Sequence, residues 1–554
     1  MPLSVPRPGM RPVTLRRVAC LILIVHGLAV VLSCGPARTG TGRAALVGVE
    51  AVPAVEIVEN HSEALPIWAS RGVSGRVLLH VDGHIDMDWI PPGTIEAIRR
   101  GRSVEAMRTL QVHPHDLSER ANHGFGIWDF VFAAFRLGLI RQEIWVVPDG
   151  SLSDRAAFER LRALLAERLS GVSLEEYRGL RYEGGLVTGT LAGVPVMIAE
   201  IERLPRLPGP VLLDIDLDYF TTVSASDLRV LPAPRPSTDE FISRLRARGV
   251  ATDLAVISLS TIGGFAPFSS RHLAEELRQA LRDPAAFSSA DAKERRRIRF
   301  EGLTALGAGE PAEADRLLAS IDGTGGADAA LQAARSESLR ALGRLAESSP
   351  HEQRALELDP EASRLDLHDA DVLRANDRLA EALELFRTFA AEHPDDAAAP
   401  YARRRIACCL LDLGRYPEAV AAFEQVLAQV PDHADSNRNL AQALVWTHQL
   451  GRAIPVMERA CRLRPHDAST LWEMGTMLLL AKDHNGAESY LRRAVAARPA
   501  AASGRYNLAV ALAVQGRIPE ALREAEICAQ LTSNPGAAAA LLEKLRAGAA
   551  PSQP

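Results

Sequence analysis

Two short segments concentrate residues that could do chemistry. The first is His80-Val81-Asp82-Gly83-His84-Ile85-Asp86-Met87-Asp88, and the second is Leu213-Asp214-Ile215-Asp216-Leu217-Asp218. In extended backbone, side chains alternate with period two, so Asp82, His84 and Asp86 would share one side and Asp214, Asp216 and Asp218 another. Carboxylates packed this closely repel one another unless cations lie between them. Oxygen donors with imidazole form a ligand set for a hard or borderline divalent ion. Both segments interrupt apolar runs, where unpaired charge is costly.

Positioning such groups requires a rigid frame, and residues 51–285 supply its pattern. Apolar runs recur at Arg76–Val81, Glu143–Val147, Val211–Ile215 and Leu254–Ile257. They are short and rich in branched residues, as buried parallel strands are. Helical stretches lie between them, at Asp129–Leu139, Asp154–Leu169 and Thr238–Arg248. Alternation of this kind implies an α/β unit with a parallel sheet. Each acidic segment then falls at a strand's carboxyl end, where open α/β sheets place their ligands. Tyr182–Ile201 reads as an inserted β-hairpin turning at Gly184-Gly185, and Asp283–Arg297 as a charged connector.

Residues 55–275 resemble the arginase-like ureohydrolases, in particular a little-characterised arginase-like family that includes peptide arginases. The resemblance rests on an ordered set of motifs. Glu59-Asn60-His61-Ser62-Glu63-Ala64-Leu65 and Trp68 come first, then His80–Asp86, Trp145–Asp149, Leu213–Phe220 and the serines of Ser258–Ser260. It implies two divalent ions, manganese in arginases. His61, Asp82, Asp86 and Asp214 would hold one; His84, Asp82, Asp214 and Asp216 the other. The implied reaction is hydrolysis of a C–N bond of arginine in a peptide or protein, by a water whose pKa the ions lower. His123 is the candidate proton shuttle, against the plainer reading of a loop residue. Asp218 lies beyond the family's two usual aspartates, as a supporting residue or a contact to a cationic substrate. Glu59 and Glu63 are further candidates for receiving a guanidinium. His80 is expected to be structural, His113 and His115 loop residues, and Trp68, Trp128 and Trp145 core. Alternatives of another kind are an amide deacetylase on the same fold and a non-catalytic scaffold.

From 295 to 535 the period changes to 34 residues, with one offset of 37, and repeat starts near 295, 329, 363, 400, 434, 468 and 502. Ala419, Ala453, Ala487 and Ala521 take the small position between paired helices. Pro431, Pro465 and Pro499 end second helices; Gly414 and Gly516 mark turns and Gly475 a close approach. This resembles the tetratricopeptide (TPR) consensus. It implies about seven stacked helix pairs that bind a peptide or protein, the first three degenerate and packed toward the α/β unit. Residues 536–554 read as a tail.

Residues 1–34 read as an export signal. Arg11, Arg16 and Arg17 precede the apolar run Ala19–Ser33, too short for a spanning helix. Val31-Leu32-Ser33-Cys34-Gly35 resembles a bacterial lipobox, which implies lipidation at Cys34, a membrane-anchored envelope protein and a periplasm-facing chain. A simple signal peptide or an uncleaved anchor are the alternatives. Residues 35–50 read as a linker. The net charge of -6 gives no basic excess for nucleic acid. The six cysteines show no paired metal-ligand spacing.

Overall fold

The computed structural model describes residues 44–548, apart from 89, 91, 102, 222–235, 263–265, 324–327 and 533–534. Cys34 and the rest of the expected signal lie outside the described residues. No helix among the described residues is long and apolar enough to cross a membrane.

The first unit is a nine-stranded sheet. Its strands are β1 (Ala45–Leu46), β2 (Ala54–Val58), β3 (Arg76–Val81), β4 (Ile140–Val147), β5 (Arg181–Glu183), β6 (Leu186–Leu191), β7 (Val194–Glu200), β8 (Val211–Asp216) and β9 (Ala251–Ser258). Their order is β1-β9-β8-β3-β4-β7-β6-β5, with β2 beside β9. Strands β2, β9, β8, β3, β4 and β7 run parallel; β1, β6 and the β5–β6 pair add antiparallel edges. The sheet is therefore mixed rather than purely parallel.

Register aligns the chemistry. His80 of β3 sits opposite Asp214 of β8 and Trp145 of β4. Asp216 sits opposite Ser258 of β9, which in turn faces Val58 of β2. Four parallel strands thus end together, the arrangement that places ligand groups at a sheet's carboxyl edge. One face of the sheet, with Leu79, Val81, Leu213, Ile215, Ala255 and Ile257, packs under helices Thr238–Ala247 and His272–Arg282. The other face packs under helices Ala64–Ser70, Phe130–Arg136 and Arg155–Arg168.

Several boundaries differ from the sequence reading. The end of the expected linker belongs to the fold: Ala45 and Val47 are buried and β1 pairs with β9. The expected inserted hairpin is a three-stranded meander, and β7 pairs with β4, so it extends the main sheet. Its second turn, at Ala192-Gly193, has both residues at positive φ, the backbone that two-residue hairpins demand. The charged connector is helical, because Ser289 caps a helix running Ala290–Gly307.

That helix opens an array of seven helix pairs, whose first helices begin at residues 290, 329, 365, 399, 434, 468 and 502. The small alanines Ala419, Ala453, Ala487 and Ala521 are fully buried. A Cβ on Gly475 would lie 2.5 Å from Leu491 Cγ, so the close approach there needs glycine. Gly414 and Gly516 adopt positive φ at the turns. The expected tail carries a further helix, Pro535–Arg546, which buries Ala538, Leu541 and Leu545 over the last pair and closes the stack.

The array is not packed on the first unit through its degenerate repeats alone. Arg271 of the first unit joins Asp359, but Asn122 joins Asp432 and Ala434, Glu167 joins Ala502 and Ser503, and Gly171 joins Ala497. The regular repeats dock by the edge where one repeat hands over to the next. Ala500, Ala502, Cys528, Leu531 and Ala538 belong to the same apolar core as one face of the sheet.

Candidate metal centre

His61 follows β2 in a short 3-10 turn, and its imidazole is buried. Its Nδ1 lies 3.0 Å from Asp82 Oδ2, 3.3 Å from Asp86 Oδ2 and 3.1 Å from Asp216 Oδ2, and its Nε2 lies 2.6 Å from Asp214 Oδ2. Four carboxylates from two strand ends therefore close on one ring. His84 joins through Asp82 Oδ1 at 3.6 Å and Asp218 Oδ2 at 2.7 Å. The six residues expected as ligands are linked through these contacts, though the groups whose atoms can converge on one ion differ from the expected sets.

These approaches are short, yet they do not all satisfy hydrogen bonding. Both ring nitrogens of His61 and both oxygens of Asp214 are buried without a hydrogen-bond partner of proper direction. Buried donors and acceptors are rarely left so, since each costs about 1–3 kcal/mol. Such a set can serve cations placed among the groups. His61, His80, Asp82 and Asp86 can converge on one ion, as can Asp82, His84 and Asp218. Oxygen and imidazole donors fit manganese, magnesium or zinc better than soft metals.

The local backbone departs from the extended course expected for Asp82–Asp86. Strand β3 stops at Val81, and Asp86 adopts φ 46°, in the left-handed region. The turn, not strand alternation, brings Asp82 and Asp86 to the same imidazole, and His84 is carried toward the surface. Its N–H donates to Asp82 Oδ1 at 2.5 Å. Asp218 likewise is not on a strand. It starts the short helix Asp218–Thr221, where its carboxylate accepts from the Gly83 N–H at 3.0 Å and meets His84 Nδ1.

Burial and crowding set the electrostatics. Burial raises the Asp86 carboxyl to about 6, with Asp82 adding to the rise. Burial raises Asp218 to about 8, helped by Asp216 and Asp82. Burial alone would lower the His80 imidazole, but Asp82 and Glu143 outweigh it and hold it up at about 10. Burial opposes ionisation of Asp82 too, but His80 and His61 hold its carboxyl well below the usual range.

Two supports escaped the sequence reading. Glu143 of β4 is fully buried and meets His80 Nδ1 at 2.8 Å, while His80 Nε2 meets Asp82 Oδ2 at 3.0 Å. His80 thus does more than fill space. The signal was present: one acid opening the buried half of β4, ahead of Ile144-Trp145-Val146-Val147. Ser260, at positive φ after β9, donates to Asp216 Oδ2 at 2.5 Å.

Other candidates stand apart. The His123 residue is exposed in the turn after Glu119–Asn122, and its carbonyl accepts from Thr94 Oγ1 at 2.9 Å. Glu63 closes a capping box on Asn60, its Oε1 accepting the Asn60 N–H at 2.9 Å. Glu59 accepts from Arg271 Nη1 at 2.8 Å, an arginine it shares with Asp359. Trp68 is core, and Trp145 is largely buried with its Nε1–H donating to the Asp82 carbonyl at 2.9 Å. Trp128 corrects the expectation of a core residue: it is 47% exposed and lies against His84, ring centroids 5.6 Å apart.

A tetratricopeptide repeat family matches residues 333–397, 404–468 and 473–535, so the C-terminal region carries TPR repeats. No curated protein matches the chain. Among solved structures, the chain is similar to YrrB, described as a TPR protein with an unusual peptide-binding site. The match has 21% identity and TM-score 0.29, and covers 35% of this chain and 97% of that one. It is also similar to the C-terminal part of a TPR repeat-containing protein from Cytophaga hutchinsonii, at 14% identity and TM-score 0.31, covering 45% of this chain and 99% of that one.

Proposed function

We propose that the α/β unit is a divalent-metal-dependent hydrolase of C–N bonds, arginase-like, acting on arginine in a peptide or protein that the TPR array helps to hold. The observation that carries this is the closure of Asp82, Asp86, Asp214 and Asp216 on His61, with four buried polar atoms there unsatisfied. His61, Asp82, Asp86, Asp214, Asp216 and His84 would hold two ions, manganese being the first choice. When bound, such ions supply Lewis acidity and lower the pKa of water. The chain's own work is to orient. Glu143 fixes the His80 ring, His80 fixes Asp82, Ser260 fixes Asp216 and Asp218 fixes His84. The exposed His123 is not drawn into this step.

The test is direct. The full mature chain is purified, its metal content measured, and manganese added with arginine-containing peptides. Urea release with conversion of arginine to ornithine is the expected result, and Asp82→Ala and Asp214→Ala should abolish both metal and turnover. Acetate release from acetylated peptides would instead identify an amide deacetylase. Absence of bound metal, with both variants indistinguishable from the parent, would leave a TPR scaffold. That second reading is favoured by the repeats themselves, since stacked helix pairs present extended binding surfaces. Export and anchoring at Cys34 belong to the same proposal: Cys34→Ala should release the protein from the membrane fraction, and unchanged retention overturns the lipid anchor.

A further inference from the structure

Trp128 is the sole aromatic among the large exposed apolar residues in the described part of the chain. Its place is fixed rather than incidental. Its carbonyl accepts the Asp88 N–H at 2.8 Å, and the neighbouring Val131 N–H donates to the Asp86 carbonyl at 3.3 Å. Asp129 Oδ1 accepts the Gly126 N–H at 2.8 Å and closes the turn. The loop bearing the indole is thus laced to the loop bearing Asp86. The indole meets the His84 imidazole at an interplanar angle of 88°. An exposed aromatic ring therefore stands at the rim of the cluster, beside its one surface-reaching ligand.

Burial pushes the carboxyl of the adjacent Asp129 well up, with Asp88 and Asp86 adding to the rise and Arg464 of the array opposing it. Arg464 is itself committed to Asp435 and to the Ala121 carbonyl, at 2.9 and 3.0 Å. An aromatic face attracts a cation, and a flat one best, because it can stack on the ring.

We propose that Trp128 is the specificity platform on which a planar cationic side chain of a peptide rests on its way to the metal cluster. This deepens the hydrolase reading and rests on it for the direction of the path, but the platform itself is a binding claim. The experiment uses the full manganese-loaded chain and fluorescein-labelled acetyl-Ala-Arg-Ala-amide, followed by anisotropy in the first seconds after mixing. The comparison peptide carries citrulline, which keeps the shape and lacks the charge.

The arginine peptide should bind about ten-fold tighter than the citrulline peptide. Trp128→Ala should weaken it about 5–20-fold, and Trp128→Phe should retain most of the affinity, because the ring face is kept. Metal content should be unchanged in both. Equal binding of the two peptides, equal binding by Trp128→Ala, or no binding by the parent overturns the platform. Discriminating binding without urea release keeps the platform and overturns the hydrolase reading instead.

Discussion

At the scale of single residues, the cluster works through a chain of fixed contacts. Glu143 and His80 are both buried and paired, so removing one partner would leave an unmatched charge. Glu143→Gln is the gentler change, because an amide still meets the ring. Outer partners of metal ligands typically change affinity by about 10–100-fold. Glu143→Gln should therefore weaken manganese binding by about ten-fold in calorimetry while the protein stays folded, and Asp214→Asn should abolish it. Unaltered affinity in a folded Glu143→Gln protein would show that the His80 ring needs no such anchor. The residues that gather in the cluster and their order were legible in the sequence, since acids interrupting apolar strands carry a strong physical signal. Their geometry was not. The left-handed Asp86 and the outward His123 depend on loop courses that no period encodes, and Trp128 was misread because an aromatic in an apolar stretch usually fills a core.

Among the elements, the strands and the regular repeats were legible because short branched apolar runs and period 34 are direct consequences of burial on both sheet faces and of stacking. What escaped was set by tertiary pairing: the two-residue β1 has no pattern of its own, and β7 becomes part of the main sheet only by lying beside β4. The degenerate repeats hold a testable weakness. Glu337 on helix Ala329–Ala341 is raised to about 8 by burial and by the facing Asp369, which burial and Asp366 raise to about 6. Both folded values lie above the unfolded ones. The folded state therefore holds protons that the unfolded chain releases, and this pair's contribution is greatest below pH about 4 and is lost as pH rises toward 8. Glu337→Gln should flatten the fall in melting temperature between pH 5 and 8. At pH 8 it should raise the midpoint by about 2–4 °C for each kcal/mol recovered. A variant that keeps the parent's slope would show that the two carboxyls do not oppose each other.

On the scale of the whole molecule, the array and the sheet share structure. The helix Ala502–Val514 has no side-chain cap of its own, since Ala501 stands at the N-cap. Its cap comes from the other unit: the Glu167 carboxylate accepts from the Ala502 N–H at 2.8 Å, the Ser503 N–H at 3.2 Å and the Ser503 hydroxyl at 2.8 Å. Arg498 returns the contact by donating to the Glu167 carbonyl at 2.8 Å. Beneath this polar rim, Ala500, Cys528 and Leu531 continue the apolar core of the sheet. An arm that merely carried a partner would need neither feature. Losing a cap costs about 0.5–2 kcal/mol, and here it also exposes the seam. In the full chain with Trp446 and Trp472 of the array replaced by Phe, then, unfolding followed by helical signal and by the tryptophan signal of the α/β unit should coincide in one transition. Glu167→Ala should move both signals down together, by about 2–6 °C. Two separate transitions in the parent, or a shift in the helical signal alone, would mean that sheet and repeats unfold as independent bodies.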